Sequence, residues 1–466
     1  MRVQTTPDIE KELSDYLTFD VPGAEHMPLY RSGHWDGKAR LYHMRYHSVN
    51  VGLLSRIRRW ASERRYECIV DSKLMNLERV QPYIVVRDLP PTINPREYQL
   101  DALRHARSVK RCILVFPTGS GKSLIMFLLI RELNDKTVLI VVPTVALVKQ
   151  MEKLLIGYGY NAKSIYTISA GKSKDFGSAK VVISTWQSIY KLESKWFNQF
   201  SMVIGDECHT FKAKSLSELM DKCTAVEYRF GLTGTLDGAP VHEWLLEGLF
   251  GPVYKTIDTS TLIEEGTLTP IHVNQIILKH PKRSLPEKST YRDELNFLAA
   301  SIPRNNYIRR LALALKGNTL VLFTLVESHG KPLFEDILYS SDKDRKVVFI
   351  HGETPSEERE EIREIAKVES NLIIAASYGV FSTGIDIPEI HNIILASPSK
   401  SRIRVLQSIG RGVRKSLDKT ICMVYDISDA VPTVGRRFNF TLNHAKIRAE
   451  YYNSEKFPMS QYYVEL

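Results

Sequence analysis

A run of buried-strand character, Cys112 to Phe116, leads directly into Pro117-Thr118-Gly119-Ser120-Gly121-Lys122-Ser123, and a helical stretch, Leu124 to Leu133, follows at once. Strand, glycine-rich turn and helix in that order form a phosphate-binding loop. The glycines let backbone N–H groups curl around phosphate oxygens at the start of a helix, Lys122 reaches the β and γ phosphates, and the Ser123 hydroxyl is placed to ligate Mg²⁺. The strict pattern has glycine at position 116, where this chain has Phe116. A chance Gly-Lys-Ser turn is the alternative, and the strand and helix flanks weigh against it. A chain carrying this unit has to continue it as a parallel sheet wrapped by helices.

The sequence does continue in that way. Short β-branched runs alternate with amphipathic stretches at Thr137 to Val142, Lys180 to Ser184, Met202 to Asp206 and Arg229 to Leu232. The rhythm restarts near Ile271, with strands expected at Asn318 to Phe323, Lys346 to Ile350, Asn371 to Ser377, Asn392 to Ala396 and Thr420 to Tyr425. Two α/β lobes are therefore predicted, 89–257 and 258–440, joined by a hinge at Asp258 to Pro270. Residues 1–88 lack the rhythm and end at the Leu89-Pro90-Pro91 breaker, so they are assigned to a small α+β accessory domain. Residues 441–466 are read as a segment capping the second lobe.

Two further strings carry chemistry. The apolar run Met202-Val203-Ile204-Gly205 ends in Asp206-Glu207-Cys208-His209. A buried strand ending in two carboxylates can hold Mg²⁺ through Asp206 and polarise an attacking water through Glu207. In the other lobe stands Gln407-Ser408-Ile409-Gly410-Arg411-Gly412-Val413-Arg414. On a helix Arg411 and Arg414 share a face, and an arginine delivered from a facing domain can neutralise charge on a transferring phosphoryl group. A solvated basic face is the other reading of that string.

Together the three strings resemble the superfamily 2 helicases, with Phe116 to Ser123 as motif I, Asp206 to His209 as motif II and Gln407 to Arg414 as motif VI. That resemblance covers about residues 90–430 and implies two tandem RecA-like lobes that hydrolyse ATP with Mg²⁺. Arg96 and Gln99 then look like the adenine-side element upstream of motif I, Pro143-Thr144 like motif Ia, Thr185-Trp186-Gln187 like motif Ic, and Thr233-Gly234-Thr235 like motif III. Around motif V lie Ser377 and Thr383-Gly384-Ile385-Asp386, with Gly384 and Asp386 coupling track to nucleotide. Thr144, Thr185, Trp186, Gln187, Ser377 and Thr383 would line the nucleic-acid track. The hydroxyls among them are small donors at strand ends, suited to phosphate contacts, though an ordinary cap is the simpler role for each taken alone. RNA-remodelling helicases expect other strings at motifs II and VI, so duplex-DNA translocases fit better. Closer still is the resemblance to phage helicases of the UvsW type, carried by Arg31 to Lys38, Asp206 to His209 and Ala376 to Ile385. It implies remodelling of branched DNA in recombination and replication restart, by a monomer in the host cytoplasm that works beside recombination or replication proteins. An RNA-remodelling helicase, or a duplex translocase without strand separation, is the alternative.

Charge agrees with a polyanionic partner: the net formal charge is +10, although basic proteins need not bind nucleic acid. From Arg31 to Arg65 nine lysines or arginines face two acids, with Trp35, Tyr42, Tyr46 and Trp60 interleaved. Arg56, Arg58 and Arg59 on a helix from Ser55 to Arg65, and Trp35 on a glycine-flanked turn, are candidate DNA contacts. A small folded domain with core aromatics is the alternative there. No apolar run approaches the roughly 20 residues that span a bilayer. Five scattered cysteines without a CxxC pair argue against disulfides and structural zinc.

Overall fold

The computed structural model describes residues 1–74 and 89–466, except residues 92, 134, 170, 282–284, 384–386, 417–418 and 435–437; of residues 73, 356 and 381–383 it describes the backbone alone. The described chain divides into two compact units, Met1–Ile257 without Pro117–Ser120, and Asp258–Leu466 with Pro117–Ser120.

In the first unit, α1 (Pro7–Tyr16) precedes and α2 (Leu54–Glu63) follows two short antiparallel strand pairs. Beyond α3 (Glu97–Val109) comes a wholly parallel sheet. Its strands are β1 (Arg111–Val115), β2 (Val138–Val142), β3 (Ile165–Ile168), β4 (Val181–Thr185), β5 (Met202–Asp206), β6 (Tyr228–Thr233) and β7 (Val253–Lys255), in the spatial order β7-β1-β6-β5-β2-β4-β3. Strands β2, β4 and β5 are buried along their whole length. Their continuous apolar runs follow from a parallel sheet covered on both faces. One face packs on α3, α4 (Lys122–Glu132) and α5 (Val145–Gly157) through Leu103, Phe127, Leu128 and Met151. The other packs on Phe197, Phe211, Leu219 and Phe250, the last on α6 (Pro240–Phe250).

The second unit repeats the plan. Strands β8 (Ile271–Lys279), β9 (Thr319–Phe323), β10 (Val347–Ile350), β11 (Ile373–Ser377), β12 (Asn392–Leu395), β13 (Cys422–Ala430) and β14 (Met459–Glu465) form a parallel sheet in the order β10-β11-β9-β12-β13-β8-β14. Helices α7 (Ile302–Ala314), α8 (Tyr378–Thr383), α9 (Arg402–Gly412) and α10 (Phe440–Ser454) belong to this unit. The two tandem RecA-like lobes are thus present, each with a seven-stranded sheet.

The segment after 440, expected to be a cap, is integral to the second lobe. Strand β14 pairs in parallel with β8, from Val273 opposite Met459 to Lys279 opposite Glu465. Helix α10 is fixed by a buried ion pair: Arg448 Nη2 lies 2.6 Å from Asp426 Oδ1 on β13, and Tyr452 donates to Asp426 Oδ2 at 3.0 Å. A second buried pair joins Arg304 of α7 to Asp429, 2.9 Å apart. Both guanidinium groups also reach the chain after β12, Arg304 donating to the Ala396 carbonyl at 2.7 Å and Arg448 to that of Ser399 at 3.1 Å. These carbonyls precede α9, so the buried arginines fix the approach to the arginine-bearing helix.

The N-terminal residues, read as a separate domain, have a small core of their own, with Leu13, Leu17, Leu53 and Trp60 among its members, and it is braced against the first lobe. Trp244 of α6 packs against Tyr16 and Phe19 with ring centroids 5.1 and 4.8 Å apart. Gly52 admits the α6 backbone, since a Cβ there would meet the Glu247 carbonyl oxygen at 1.9 Å.

Candidate active site

Register places the first-lobe motifs on one edge of its sheet. Val115 of β1 pairs with Thr233 of β6, and Leu232 of β6 with Asp206 of β5. Their carboxyl ends therefore lie side by side, where ligands of open α/β sheets bind. Beyond β1 the loop tightens through Ser120 Oγ, which donates to the Pro117 carbonyl at 2.6 Å. Gly119 and Gly121 both have left-handed φ angles, +85° and +87°. Gln99 reaches Gly121 closely: a Cβ there would meet Gln99 Nε2 at 2.5 Å, and that amide would have to shift. Thr118 and Lys122 are half-buried beside these turns.

Gln99 is buried, and its Oε1 accepts from the Arg96 N–H at 2.9 Å, closing the start of α3. The predicted upstream element thus sits against the loop through Gln99, while the exposed Arg96 side chain donates to Tyr98 Oη at 3.1 Å.

Opposite the loop, Lys122 Nζ donates to Glu207 Oε1 at 3.0 Å. Glu207 has φ +48°, a left-handed conformation uncommon for a residue with a Cβ and the kind of local strain that gathers at functional sites. Burial works to raise its carboxyl, but the Lys122 charge and the His209 contact outweigh burial and hold it well below the usual range. Asp206 moves the other way, because burial first and the Glu207 charge second push its carboxyl up. A divalent cation would reverse that by favouring the ionised form. His209 Nδ1 stands 2.9 Å from Thr233 Oγ1 and 3.3 Å from Glu207 Oε2, linking motifs II and III. Nothing in the sequence pairs His209 with Thr233, which lie 24 residues apart and meet only through the register of β5 and β6. Ser123 Oγ and the Asp206 carboxylate are hard oxygen donors of the kind Mg²⁺ takes, so the residues present suit that ion.

Further along the same edge, Thr185 Oγ1 meets Ser188 Oγ at 2.9 Å, and Gln187 Nε2 donates to the Pro143 carbonyl at 3.5 Å. Motifs Ia and Ic are thereby neighbours. Thr144 caps α5 by accepting from the Leu147 N–H at 3.4 Å. Trp186 lies edge-on to Tyr190, with ring centroids 5.6 Å apart.

In the second unit Gln407 is buried on α9 and Arg411 is half-buried on its last turn. The shared helical face expected of Arg411 and Arg414 is not formed. Helix α9 ends at Gly412, and Thr269 draws the chain away: its N–H donates to the Val413 carbonyl at 2.7 Å and its Oγ1 to that of Arg414 at 3.2 Å. Burial lowers the Arg414 guanidinium to about 10. Ser377 is buried at the end of β11. Thr383 closes α8 with its side chain outside the described residues, and Gly384 and Asp386 lie outside them altogether.

Arg56 corrects the expected DNA-binding face of α2. It pairs with Glu247 of α6, donates from Nη2 to Glu243 Oε1 at 3.3 Å, and lies over the Trp244 ring at 4.2 Å. Its charge is committed to holding the N-terminal residues on the first lobe. Arg58 and Arg59 are exposed on the same helix. Trp60 is a core residue, and Trp35 is half-buried with its indole N–H donating to the Lys38 carbonyl at 2.9 Å.

Comparison with known proteins follows this division. Residues 1–71 match a family described as the N-terminal region of the DNA helicase UvsW, residues 92–238 the res subunit of type III restriction enzymes, and residues 304–416 the helicase conserved C-terminal domain. The ATP-dependent DNA helicase uvsW of Enterobacteria phage T4 is 33% identical, with 98% of this chain and 96% of that protein aligned. The crystal structure of T4 UvsW superposes with a TM-score of 0.50 at 30% identity, covering all of this chain and 97% of that one. The type ISP restriction-modification enzyme LlaBIII bound to DNA shares the fold, with a TM-score of 0.56 at 16% identity over 80% of this chain and 32% of that one.

Proposed function

The chain belongs to the UvsW family of superfamily 2 helicases and is an ATP-dependent DNA helicase, and we propose that its substrate is branched duplex DNA, which it remodels by branch migration and fork regression in recombination, repair and replication restart. The contact between Lys122 and Glu207 supports the chemical part of this reading, because it brings a lysine of the glycine-rich loop and a carboxylate of the neighbouring motif together at one sheet edge.

In this reading Lys122 and the N–H groups of Thr118 to Ser123 hold the ATP phosphates. Ser123 and Asp206 hold Mg²⁺, which neutralises phosphate charge when bound. Glu207 orients the attacking water and takes its proton. Gln99, with Arg96, serves the adenine side. Arg411 and Arg414 neutralise charge on the γ-phosphoryl oxygens, with Gln407 beside them on α9, and Gly384 and Asp386 couple the track to that site. Thr144, Thr185, Trp186, Gln187, Ser377 and Thr383 supply the track. Arg58, Arg59 and Trp35 add a surface outside the motor lobes; it acts in a monomer, beside recombination or replication proteins.

The test compares ATPase stimulation by single strands, blunt duplex, forks, four-way junctions and RNA at matched nucleotide concentration. Forks and four-way junctions should stimulate most at subsaturating concentration. Equal stimulation by linear duplex and junctions would remove the branched-DNA assignment, and a preference for RNA would favour the RNA-remodelling alternative.

A further inference from the structure

A side chain from outside the phosphate-binding loop touches Ser123. Its Oγ lies 3.1 Å from the phenolic oxygen of Tyr158, 35 residues further along the chain. Tyr158 is the C-cap residue that follows α5. Its ring is held in place: it is partly buried against the apolar layer and packs on Phe127 with centroids 5.4 Å apart at 47°. Phe127 stands one helical turn beyond Ser123 on α4, so a ring seated on Phe127 brings its hydroxyl to the start of that helix.

A serine hydroxyl has one proton and two lone pairs. When a lone pair is given to a cation, the proton has to point elsewhere, and it needs an acceptor there. The phenolic oxygen is at hydrogen-bond distance and can take it. The geometry points to Tyr158 as a positioning residue of the nucleotide site: by accepting the Ser123 proton it turns the serine lone pairs toward Mg²⁺. This rests on Ser123 being a Mg²⁺ ligand. Tyr158 touches no phosphate and acts only through Ser123. Nothing in the sequence around Tyr158 marks it, because its partner is set by the packing of α5 on α4.

Tyr158→Phe tests the role by removing one oxygen and keeping the ring on Phe127. With the full chain, Mg²⁺ is titrated in the DNA-stimulated ATPase at saturating ATP. Independently of turnover, Mn²⁺ binding in the presence of ADP is measured by paramagnetic resonance of the free ion. The Mg²⁺ concentration for half-maximal rate should rise about fivefold, as expected for loss of one neutral hydrogen bond. Mn²⁺ affinity should fall by a similar factor, while kcat at saturating Mg²⁺ and the thermal midpoint stay near those of the parent. Ser123→Ala should shift both metal readouts further, and adding Tyr158→Phe to it should change nothing more. If Ser123→Ala shifts the metal readouts and Tyr158→Phe does not, the tyrosine only packs, and this inference fails while the Ser123 assignment stands. A lowered Mg²⁺ requirement in Tyr158→Phe would mean that the phenol competes with the cation, and would overturn it. So would a double variant worse than Ser123→Ala. If Ser123→Ala shifts neither readout, the metal assignment and this inference fall together.

Discussion

Lys122 Nζ and Glu207 Oε1 are 3.0 Å apart, so the lysine proposed to serve phosphate also holds the carboxyl of the proposed base below its usual range. Lys122→Ala removes the proposed phosphate contact. We expect kcat to fall by at least about 10²-fold, the scale of losing one electrostatic donor at a reacting group. DNA affinity without nucleotide should change less than about twofold, since the proposed track residues are other side chains than Lys122. Steady-state ATPase and DNA titrations measure both, and turnover near that of the parent would sink the nucleotide-site assignment.

Glu207→Gln keeps size and hydrogen-bonding shape but cannot accept a proton. Hydrolysis should fall by roughly 10²- to 10⁴-fold, the range that general-base catalysis supplies. Binding of a fluorescent ATP analogue with Mg²⁺ should persist within a few-fold. A variant that hydrolysed ATP at the parent rate would remove Glu207 as the base.

Arg414 lies beyond the end of α9, with its backbone carbonyl accepting from Thr269 Oγ1 at 3.2 Å. Arg414→Ala should lower kcat by roughly 10³- to 10⁵-fold, the contribution of an arginine that neutralises phosphoryl charge. The KM for ATP should move far less. Pre-steady-state binding and turnover separate the two, and a variant that lost affinity but kept its rate would make Arg414 a ground-state contact.

Much of the fold was legible in the sequence for one physical reason. Strands such as Val138–Val142 and Met202–Asp206 are covered on both faces, so they appear as unbroken apolar runs. The edge strands Val253–Lys255 and Met459–Glu465 are short or mix polar with aromatic residues, and nothing local separated them from loops. The nucleotide loop was legible because its glycines, lysine and serine are contiguous. Arg56 was not, because its partner Glu247 lies 191 residues away and only tertiary packing brings them together. The same holds for Arg448 and Asp426, whose pairing turns a segment read as a cap into part of the second lobe.

Arg56 and Glu247 supply a stability prediction. The Glu247 side chain is 7% exposed and that of Arg56 23%. Arg56→Ala leaves a nearly buried carboxylate without its partner, at a cost of about 3 kcal/mol, the low end for breaking a buried pair. The midpoint of thermal unfolding should fall by several degrees. Adding Glu247→Gln should recover part of the loss, because no uncompensated charge then remains. A drop that Glu247→Gln does not relieve would trace the loss to the contact over Trp244.

His329 gives a pH dependence. It is buried in the second lobe with Nδ1 3.2 Å from Ser397 Oγ, and burial first, then the Arg304 charge, pushes it down to about 3. A folded-state value below the unfolded one means that stability is complete above about pH 6.5 and is lost as the pH falls toward the folded value. Between about pH 7.5 and 5 this group alone should cost about 2 kcal/mol. His329→Asn cannot titrate, so its urea midpoint should fall less over that interval than the parent's. Parallel curves for the two proteins would show that His329 does not carry this dependence.

The arginines of α2 divide by exposure, with Arg56 paired to Glu247 and Arg58 and Arg59 on the surface. A pair of motor lobes holding backbone through small hydroxyls contacts phosphates in any duplex. Discrimination between a junction and a linear duplex needs another surface. Arg58 and Arg59 are exposed on the helix whose neighbour Arg56 is committed to the first lobe, so the helix presents charge outward from a fixed base. Replacing both by alanine should leave the thermal midpoint and basal ATPase near those of the parent, because neither residue belongs to the core. Affinity for a four-way junction should fall more than affinity for a matched duplex. The slope of log affinity against log salt should flatten by about 0.9 for each arginine that touches a phosphate. Arg56→Ala is the contrast, since it should lower the midpoint of unfolding first. If Arg58→Ala with Arg59→Ala leaves the junction-to-duplex ratio and the salt slope unchanged, the discrimination lies in the motor lobes and the N-terminal residues serve as a structural brace.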